Sequence, residues 1–472
     1  MTIRLYDTKA QALRDFVPLV DGQAGIYVCG PTVQSSPHIG HLRSALVYDI
    51  WRRWLTYRGF TVNLVRNVTD IDDKILSNAE RDNEEWWALA YRYELEFSDG
   101  YRRLGILAPT YEPRATASVT EMQAIIQRLI DGGHAYPAAD DSGDVYFDTA
   151  SWLAYGELTH QSPSNMEAAT DADPRGKRAP QDFALWKGWK PSEPKSASWA
   201  SPWGAGRPGW HIECSAMSSR YLGSQFDIHG GGLDLRFPHH ENEIAQSNAA
   251  GDAFANYWVH NGLVNVNGQK MSKSLGNSIF ASEFLNEARP LVVRYYLGSA
   301  HYRSTIDYHD GALVEAEAAL ERIESFLERA NSRLQDTRFA GSGAPVLPKE
   351  FADAMDDDLA VPQALAVLHD RVRAGNSALD DEDLAAAAEI RGEVTAMTEV
   401  LGINPHSPEW RSAASAPTDR ALAALVERLI EDRNAARSAR DFAAADRVRN
   451  ELAAAGITVE DSPNGTHWTI EP

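Results

Sequence analysis

The 472-residue sequence predicts an α/β fold with helical additions, and two observations support this class. Over residues 1 to about 110, short apolar runs alternate with helical stretches, which is typical of the first half of a nucleotide-binding parallel sheet. After Tyr308 the composition shifts to Ala, Leu, Glu and Arg, which favours helices. We therefore predict a Rossmann-like parallel-sheet catalytic domain, an α-helical bundle and a small C-terminal module.

Changes in composition divide the chain into three predicted domains. The catalytic domain is predicted at residues 1–310, with an insertion at about 110–205 where Pro- and Ser-rich pieces interrupt the pattern. The helical bundle is predicted at residues 311–403. Residues 404–472 begin with a Pro- and Ser-rich stretch, 404–418, that indicates a linker. One or two helices over residues 421–455 and a short tail then complete the C-terminal module.

The segment His38-Ile39-Gly40-His41 lies at the predicted start of a helix near Pro37. The two histidines are three positions apart, so both rings project from one face of the first turn. Gly40 leaves room for a bulky ligand to approach the backbone. Since a helix N-terminus already attracts anions, the pair predicts a site for a triphosphate.

A second motif suited to phosphate, Lys270-Met271-Ser272-Lys273-Ser274, follows much later in the chain. Its two lysines supply mobile positive charge that can follow negative charge onto a leaving pyrophosphate. Either motif alone is weak evidence, because a chance histidine pair and a basic surface loop are the plain alternatives. Together, in this order, they predict a nucleotide-binding enzyme.

The chain has only two cysteines, Cys29 and Cys214. Cys29 ends an apolar run that indicates a buried strand. A helix beginning near Pro238 would place His239 and Glu243 on one face. Two thiolates, an imidazole and a carboxylate are acceptable tetrahedral zinc ligands. On these residues alone three other interpretations stay open: small buried hydrophobes, a disulfide, and a histidine that merely begins a helix.

These motifs together resemble the cysteinyl-tRNA synthetase family of class I aminoacyl-tRNA synthetases. The resemblance covers essentially the whole chain and is carried by residues 27–30, 38–41, 67–74, 209–214, 226–234, 238–246 and 270–277. In that family a zinc ion binds the thiol of the amino acid and is held at the positions matching Cys29, Cys214, His239 and Glu243. The resemblance thus implies one Zn²⁺ per chain, and Mg²⁺ that enters with ATP.

The same resemblance implies a reaction in two steps. The carboxylate of L-cysteine attacks the α-phosphate of ATP, and the resulting cysteinyl-adenylate acylates the 3′-terminal adenosine of tRNA(Cys). His38, His41, Lys270 and Lys273 are implied to stabilise charge on the departing phosphates. Further ATP contacts are implied for Gly230, Gly232 and Asp234.

Other positions are implied to contact the amino acid or the tRNA. On the cysteine side they are Cys29, Gly30, Thr32, Ser44, Asn67, Thr69, Trp210, His239 and Val264. On the tRNA anticodon they are Arg437, Phe442, Asp446, Arg449 and Asp461. Phe442 stands where the family commonly has Trp, so we expect weaker base stacking there.

A metal would solve a problem of selectivity. Serine is nearly isosteric with cysteine, so an apolar pocket could separate the two amino acids only weakly. A thiol bound to zinc readily gives a soft thiolate, whereas a neutral hydroxyl is a poor ligand. We therefore expect cysteine to be selected in the first binding step, without an editing domain.

Bulk properties predict a cytoplasmic enzyme without a membrane partner. The sequence has no run of eighteen apolar residues, its start lacks the apolar core of a signal peptide, and its sparse cysteines suit a reducing compartment. A net charge of −22 is unusual for a protein that binds nucleic acid, so we expect local basic patches to engage tRNA by shape. We expect a monomer.

Two rival functions stay open at this point. The cysteine ligase of mycothiol biosynthesis resembles the family and forms the same adenylate, but it transfers cysteine to an amino sugar and needs no module like residues 404–472. The other rival is a non-catalytic tRNA- or zinc-binding descendant of a synthetase. The intact His38, His41, Lys270 and Lys273 argue against it.

Overall fold

The computed structural model describes residues 2–162, 175–271, 276–341, 346–410, 415–462 and 465–470. Lys273, one of the predicted phosphate-binding residues, lies outside the described residues. The chain forms two compact units, Met1–Pro405 and His406–Pro472. Across the described ranges, no helix is both long enough and apolar enough to cross a membrane.

The first unit alternates strands and helices before it becomes wholly helical. Its strands are β1 (Arg4–Asp7), β2 (Ala12–Asp15), β3 (Gln23–Val28), β4 (Thr61–Arg66), β5 (Ala135–Pro137), β6 (Val145–Phe147), β7 (Phe183–Gly188), β8 (Gly206–Pro208), β9 (Gln225–Gly232), β10 (Phe254–Asn261), β11 (Val264–Val266), β12 (Gln269–Lys270) and β13 (Ile306–Tyr308). Its α-helices are α1 (Ile39–Tyr57), α2 (Asp73–Asp82), α3 (Trp86–Arg103), α4 (Val119–Asp131), α5 (Trp210–Leu222), α6 (Glu241–Ala249), α7 (Ala281–Glu287), α8 (Pro290–Ser299), α9 (Ala312–Leu334), α10 (Lys349–Asp356), α11 (Val361–Asp380) and α12 (Leu384–Leu401).

The first unit is built on a parallel sheet with the strand order β10-β9-β3-β4. Its strands are mostly apolar and buried, as expected when helices cover both faces of a parallel sheet. The register aligns Val28 with Arg66 and Gly232 with Asn261, so the carboxyl ends of the strands share one edge. Ligands bind at this edge in open parallel sheets. The predicted α/β class is confirmed.

Helix α1 connects β3 to β4 and carries the predicted histidine motif at its N-terminus. Leu42, Leu46, Ile50 and Trp54 recur every four residues and are all buried, which fixes one face of the helix against the core. The helix begins at Ile39, slightly later than the predicted start near Pro37. Its packing holds the histidines at the ligand edge of the sheet.

An antiparallel sheet of order β5-β6-β7-β8 interrupts the parallel sheet in sequence. Tyr136, Tyr146 and Ala184 form a small core within it. The buried Asp182 carboxylate accepts hydrogen bonds from the Tyr136 hydroxyl at 2.6 Å and from the Thr149 N–H at 3.1 Å. Such donors are required because a buried carboxylate without them is costly. Strands β5 to β7 lie within the range predicted for the insertion, and β8 follows it.

A small three-stranded sheet and a helical bundle complete the first unit. The sheet has the order β12-β11-β13, and β12 ends in Lys270. Helices α9, α11 and α12 pack against one another through buried side chains such as Phe326, Leu368 and Met397. The predicted helical bundle is therefore confirmed.

The second unit contains α13 (Ser415–Ser438), α14 (Phe442–Ala454) and a hairpin of β14 (Ile457–Ser462) and β15 (Gly465–Ile470). Val426, Ile430, Leu452 and Ile457 form its core. The predicted linker, residues 404–418, overlaps the first residues of α13. The predicted tail after the helices is wrong, because those residues pair as a hairpin in which Ile457 and Val459 alternate toward the core.

Candidate active site

The four predicted metal ligands meet at the ligand edge of the parallel sheet. Cys29 follows β3, Cys214 lies in α5, His239 precedes α6 and Glu243 lies in its first turn. The two Sγ atoms are 3.5 Å apart, and Glu243 Oε1 lies 3.3 Å from Cys29 Sγ and 3.0 Å from His239 Nε2. One ligand atom from each residue lies within 4.8 Å of the others, and all four residues are buried. We call these residues the four-ligand cluster.

The spacing of the two sulfur atoms fits a tetrahedral metal site. Two thiolates bound to zinc at about 2.3 Å would have their sulfur atoms roughly 3.8 Å apart, close to the spacing found here. A disulfide would bring the atoms to about 2 Å. Cys29 and Cys214 are free thiols, so the disulfide interpretation is wrong.

Helix α6 begins later than predicted. The sequence predicts a helix from Pro238, but α6 starts at Glu241 after a five-residue turn, Arg236–His240. Phe237 leaves the helical path with φ of −138° and ψ of 135°. The residue before a proline avoids the helical region, which explains the break. The contact between His239 and Glu243 survives it.

Neighbouring side chains hold the ligands of the cluster in place. His229 Nε2 lies 2.8 Å from Glu243 Oε2, and His211 Nδ1 lies 3.0 Å from His239 Nδ1. The indole of Trp210 stacks on the His239 ring, with centroids 4.1 Å apart and an interplanar angle of 23°. Partners of this kind orient metal ligands and fix their tautomers.

Burial sets the protonation of the cluster. Burial, and then the hydrogen bond and proximity to Cys214, raise the pKa of the Cys29 thiol well above its usual value. Burial likewise raises the pKa of Cys214 and lowers the pKa of His239 well below its usual range. A divalent cation would offset the cost of forming buried thiolates, because metal ligands must be deprotonated. The donor set present therefore fits a metal ion.

A second, overlapping set comprises Cys29, His229, His240 and Glu243. Its two histidines already have partners, since His229 contacts Glu243 Oε2 and His240 Nδ1 lies 2.8 Å from His260 Nε2. Both rings lie directly behind Glu243, which the two sets share.

A cavity of about 370 Å³ opens at the same edge of the sheet. The predicted site residues that line it are Cys29, Gly30, Thr32, His38, His41, Ser44, Trp210, Gly232, Asp234, Val264 and Lys270. One ligand of the cluster and residues from both phosphate motifs therefore share a single cavity. Its size suits a small substrate together with a nucleotide.

The two histidines of the first motif cap helix α1. His38 Nδ1 accepts a hydrogen bond from the Gly40 N–H at 3.2 Å, and His41 Nδ1 accepts one from the His38 N–H at 3.1 Å. Their rings stack with centroids 3.7 Å apart. A Cβ at residue 40 would lie 3.0 Å from the His38 ring and 3.4 Å from Met271 Cε, so glycine keeps this space open. The sequence predicted that the first N–H groups of this helix would bind an anion. Instead, the two imidazoles accept hydrogen bonds from the N–H groups of His38 and Gly40.

Lys270 is exposed at the end of β12, which forms a hairpin with β11. The Asn277 amide donates a hydrogen bond to the Lys270 carbonyl at 3.2 Å. Residues 272–275, which include Lys273, lie outside the described residues. The contacts of this motif are therefore given for Lys270.

Three further predicted residues do not line the cavity. Asn67 Oδ1 accepts a hydrogen bond from the Gly30 N–H at 2.9 Å, and Thr69 Oγ1 donates to Glu213 Oε2 at 2.7 Å. Gly230 packs against Tyr48, whose ring would lie 2.3 Å from an added Cβ. The substrate contacts of Asn67, Thr69 and Gly230 stay predictions.

Some residues of the cavity were not predicted from the sequence. Lys74 enters it from the start of α2, and Arg66 enters from the end of β4, where it pairs with Glu112 at 2.9 Å. Their position in the sequence could have indicated this, because residues at the end of a parallel strand and just after it lie at the ligand edge of the sheet. Tyr101, from the end of α3, carried no such signal.

Comparison with known proteins agrees with this geometry. The chain is 72% identical over 476 residues to the cysteine–tRNA ligase of Leifsonia xyli subsp. xyli, and the match covers all of both chains. It is 56% identical over 490 residues to the cysteine–tRNA ligase of Paenarthrobacter aurescens, again over all of both chains. The chain belongs to the cysteine–tRNA ligase family.

Three successive parts of the chain match models of known domain families. Residues 15–318 match the class I (C) tRNA synthetase catalytic domain, residues 350–404 the DALR domain, and residues 419–468 the cysteinyl-tRNA ligase anticodon binding domain. The resemblance found in the sequence is therefore confirmed.

Solved structures share the fold at low sequence identity. Mycobacterium tuberculosis methionyl-tRNA synthetase in complex with methionyl-adenylate is 15% identical with a TM-score of 0.59, over 83% of this chain and 96% of that chain. The Agrobacterium radiobacter K84 agnB2 LeuRS-tRNA-LeuAMS ternary complex is 12% identical with a TM-score of 0.61, over 83% of this chain and 85% of that one. Both likenesses support the class I fold.

The predicted anticodon contacts lie in the second unit. Arg437 lies near the end of α13, and Asp461 lies in β14. Phe442, Asp446 and Arg449 share one face of α14, where Phe442 is 63% exposed and the two charged residues form an ion pair of 3.4 Å. Their roles in binding tRNA stay predictions.

Proposed function

We propose that this protein activates L-cysteine with ATP and transfers it to the 3′-terminal adenosine of tRNA(Cys). The observation that carries the proposal is the shared cavity, whose wall includes a thiol of the four-ligand cluster and residues of both phosphate motifs. Relatives named cysteine–tRNA ligase match the full chain. The match to an anticodon binding domain favours tRNA over an amino sugar as the acceptor.

We assign one Zn²⁺ to Cys29, Cys214, His239 and Glu243. Bound zinc supplies a Lewis acid that prefers a thiolate to a neutral hydroxyl. The protein holds the four side chains in a dry site and closes it on one side with the Trp210 indole. Selection of cysteine over serine rests on this cluster, because an apolar pocket would separate them weakly.

The phosphates of ATP, together with Mg²⁺, are assigned to His38, His41, Lys270 and Lys273. In both histidines Nδ1 accepts a backbone hydrogen bond, so a neutral ring carries its proton on Nε2. In that tautomer Nε2–H is the donor type that a phosphate oxygen accepts. Lys270, on an exposed hairpin, follows negative charge onto the leaving pyrophosphate.

The remaining assignments concern partners and location. Gly230, Gly232 and Asp234 contact the adenosine, and the second unit reads the anticodon of tRNA(Cys). The enzyme acts as a monomer in the cytoplasm, a compartment that suits its two buried free thiols.

Cysteine-dependent ATP–pyrophosphate exchange tests the proposal. We expect strong preference for cysteine over serine, loss of exchange after chelation, and recovery on adding Zn²⁺. Equal turnover of serine, or full activity without metal, contradicts the specificity argument. A second assay compares charging of tRNA(Cys) with ligation of cysteine to glucosaminyl-inositol, and product only in the latter would favour the mycothiol ligase.

Replacing Phe442 with Ala tests the role of the second unit. Stacking of a base on an aromatic ring contributes about 1–3 kcal/mol, so we expect a rise of roughly ten-fold in the KM for tRNA(Cys). Pyrophosphate exchange, which needs no tRNA, should keep its wild-type rate. Leu425→Ala, another exposed apolar residue of this unit, is the matched control. Equal effects of both substitutions would remove the case for stacking.

A further inference from the structure

Arg43 carries a buried guanidinium behind the phosphate motifs, two residues after His41. It is 1% exposed and donates hydrogen bonds to the carbonyls of Leu263 at 2.8 Å, His301 at 3.2 Å and Ser304 at 2.5 Å. Within the described part of the chain, no carboxylate pairs with it. All its assigned acceptors are neutral backbone groups of distant segments.

These acceptors lie at the base of the small sheet that carries Lys270. Leu263 immediately precedes β11, and Ser304 lies two residues before β13. Strand β11 pairs with both β12 and β13, so backbone hydrogen bonds join the three strands into one sheet. The next residue of α1 makes a second link, because Ser44 Oγ donates to Asn261 Oδ1 at 2.9 Å. Because Asn261 ends β10, one turn of α1 is tied to the base of the small sheet and to the end of the parallel sheet.

A buried cation without a carboxylate is an unfavourable way to stabilise a fold. Burial lowers the pKa of Arg43 to about 10, which still leaves the group charged at neutral pH. Bonds to neutral carbonyls only partly offset the loss of water, and an apolar side chain of similar size would pack with less penalty. The rigid, planar set of donors in a guanidinium is suited to holding several acceptors in a fixed geometry.

We infer that Arg43 is a positioning residue for the activation step. It fixes β12 and Lys270 relative to His38 and His41, which belong to the same helix as Arg43, so that both motifs meet the departing pyrophosphate. The inference rests on the proposed function. The ligands of the four-ligand cluster lie on other elements, so selection of the thiol and transfer of the finished aminoacyl group do not depend on Arg43.

The test compares Arg43→Lys with a matched control, Arg294→Lys. Arg294 is also 1% exposed and donates to the carbonyls of Leu401 and Leu104, but it pairs with the Asp49 carboxylate at 2.6 Å and does not line the cavity. Two rates are measured on each full-length enzyme loaded with Zn²⁺. One is cysteine-dependent pyrophosphate exchange, and the other is single-turnover transfer to tRNA from adenylate isolated on the enzyme.

For Arg43→Lys we expect exchange to fall by about 10- to 100-fold, because a misplacement of about 1 Å can cost that much. The zinc content, the preference for cysteine over serine and the transfer rate should match the wild type. Arg294→Lys should lower the melting temperature and leave the ratio of the two rates unchanged. Equal losses in both steps for Arg43→Lys, or unchanged exchange, overturn the inference.

Should Arg43→Lys fail to fold, Arg43→Gln removes the charge but keeps a planar amide that can donate to the same carbonyls. The same split between the two steps is then expected, and equal losses contradict it. A wild-type enzyme without cysteine-dependent exchange would instead defeat the proposed function, which keeps the two failures separate.

Discussion

The four-ligand cluster, which reaches the cavity through Cys29, and the phosphate motifs are built in opposite ways. Each ligand of the cluster is at most 8% exposed, and neighbouring rings contact His239 and Glu243. Lys270, by contrast, is exposed on a hairpin. A thiol is recognised by short, directed bonds, whereas a triphosphate is met by charge that can move with it. The difference indicates that substrate selection and rate depend on separate groups.

The largest expected effect follows from breaking the cluster with Cys214→Ala. Loss of a supporting contact around a metal typically costs 10- to 100-fold, so loss of a ligand should cost at least about 100-fold in kcat/KM for cysteine. Zinc content should fall below one per chain, as measured by elemental analysis. Serine turnover, which gains nothing from a thiolate site, should stay at its low wild-type level.

Ser218→Ala is the control for this substitution, because Ser218 lies one turn further along α5 and is equally buried. It should retain zinc and activity. A Cys214→Ala enzyme that keeps its zinc and its preference for cysteine would contradict this prediction. The specificity for cysteine would then depend on residues outside the four-ligand cluster.

The phosphate motif is tested by Lys270→Met. Removing one preorganised donor to a developing charge costs about 100- to 1,000-fold in kcat, and we expect the lower end because the lysine is exposed. The KM for cysteine should be unchanged, as should zinc content. Lys349→Met, which removes an exposed lysine paired with Asp353 on α10, is the control. A large rise in the KM for cysteine would contradict the separation of roles.

The cluster could be predicted from the sequence because its residue types leave few alternatives. Two cysteines in the whole chain, one beside a strand and one near a His-Glu pair, limit the possible arrangements. The start of α6 was misplaced because helical spacing alone ignores the constraint that Pro238 puts on Phe237. The error did not matter for the site, since both ligands follow the break at Phe237 and keep their contact.

Other features could not be predicted, because they depend on contacts between distant segments. A lone arginine such as Arg43 on an amphipathic helix is normally solvated, and only the tertiary fold brings three carbonyls to it. Tyr101 enters the cavity from the end of α3, and nothing in its local sequence indicates this. The hairpin of the second unit was missed because its apolar alternation is short and follows a long helical stretch.

A substitution at the rim of the cavity is expected to have a smaller effect, and this effect is on the stability of the fold. Asp73 lies between two cavity residues and pairs with Arg207 and, at 2.7 Å, with Lys187. Burial alone would raise the pKa of Asp73, but these two cations lower it to about 2. Because the folded pKa is below the unfolded one, this stabilisation is present above about pH 4 and is lost as pH falls toward 2.

Asp73→Asn should therefore lower the free energy of unfolding by about 2 kcal/mol at pH 7, from a shift of roughly two pKa units. The difference in the free energy of unfolding between the variant and the wild type should become smaller as pH falls below 4, as measured from the midpoint of urea unfolding. Asp82→Asn, at an exposed residue of the same helix, should give no comparable gap. A gap for Asp73→Asn that stays constant with pH would show that the ion pairs are not its source.

The smallest expected effect is that of salt, and it tests the comparison without any substitution. Raising ionic strength from about 0.1 to 1 M shortens the Debye length from roughly 10 to 3 Å, which screens exposed charges and leaves buried contacts largely unaffected. The KM for ATP should therefore rise more than the KM for cysteine, with zinc content constant. Equal rises would mean that the cluster is as open to solvent as the lysine, which its burial argues against. A rise only for ATP would place the electrostatic part of the reaction on the exposed side of the cavity, where charge must stay mobile to follow the leaving pyrophosphate.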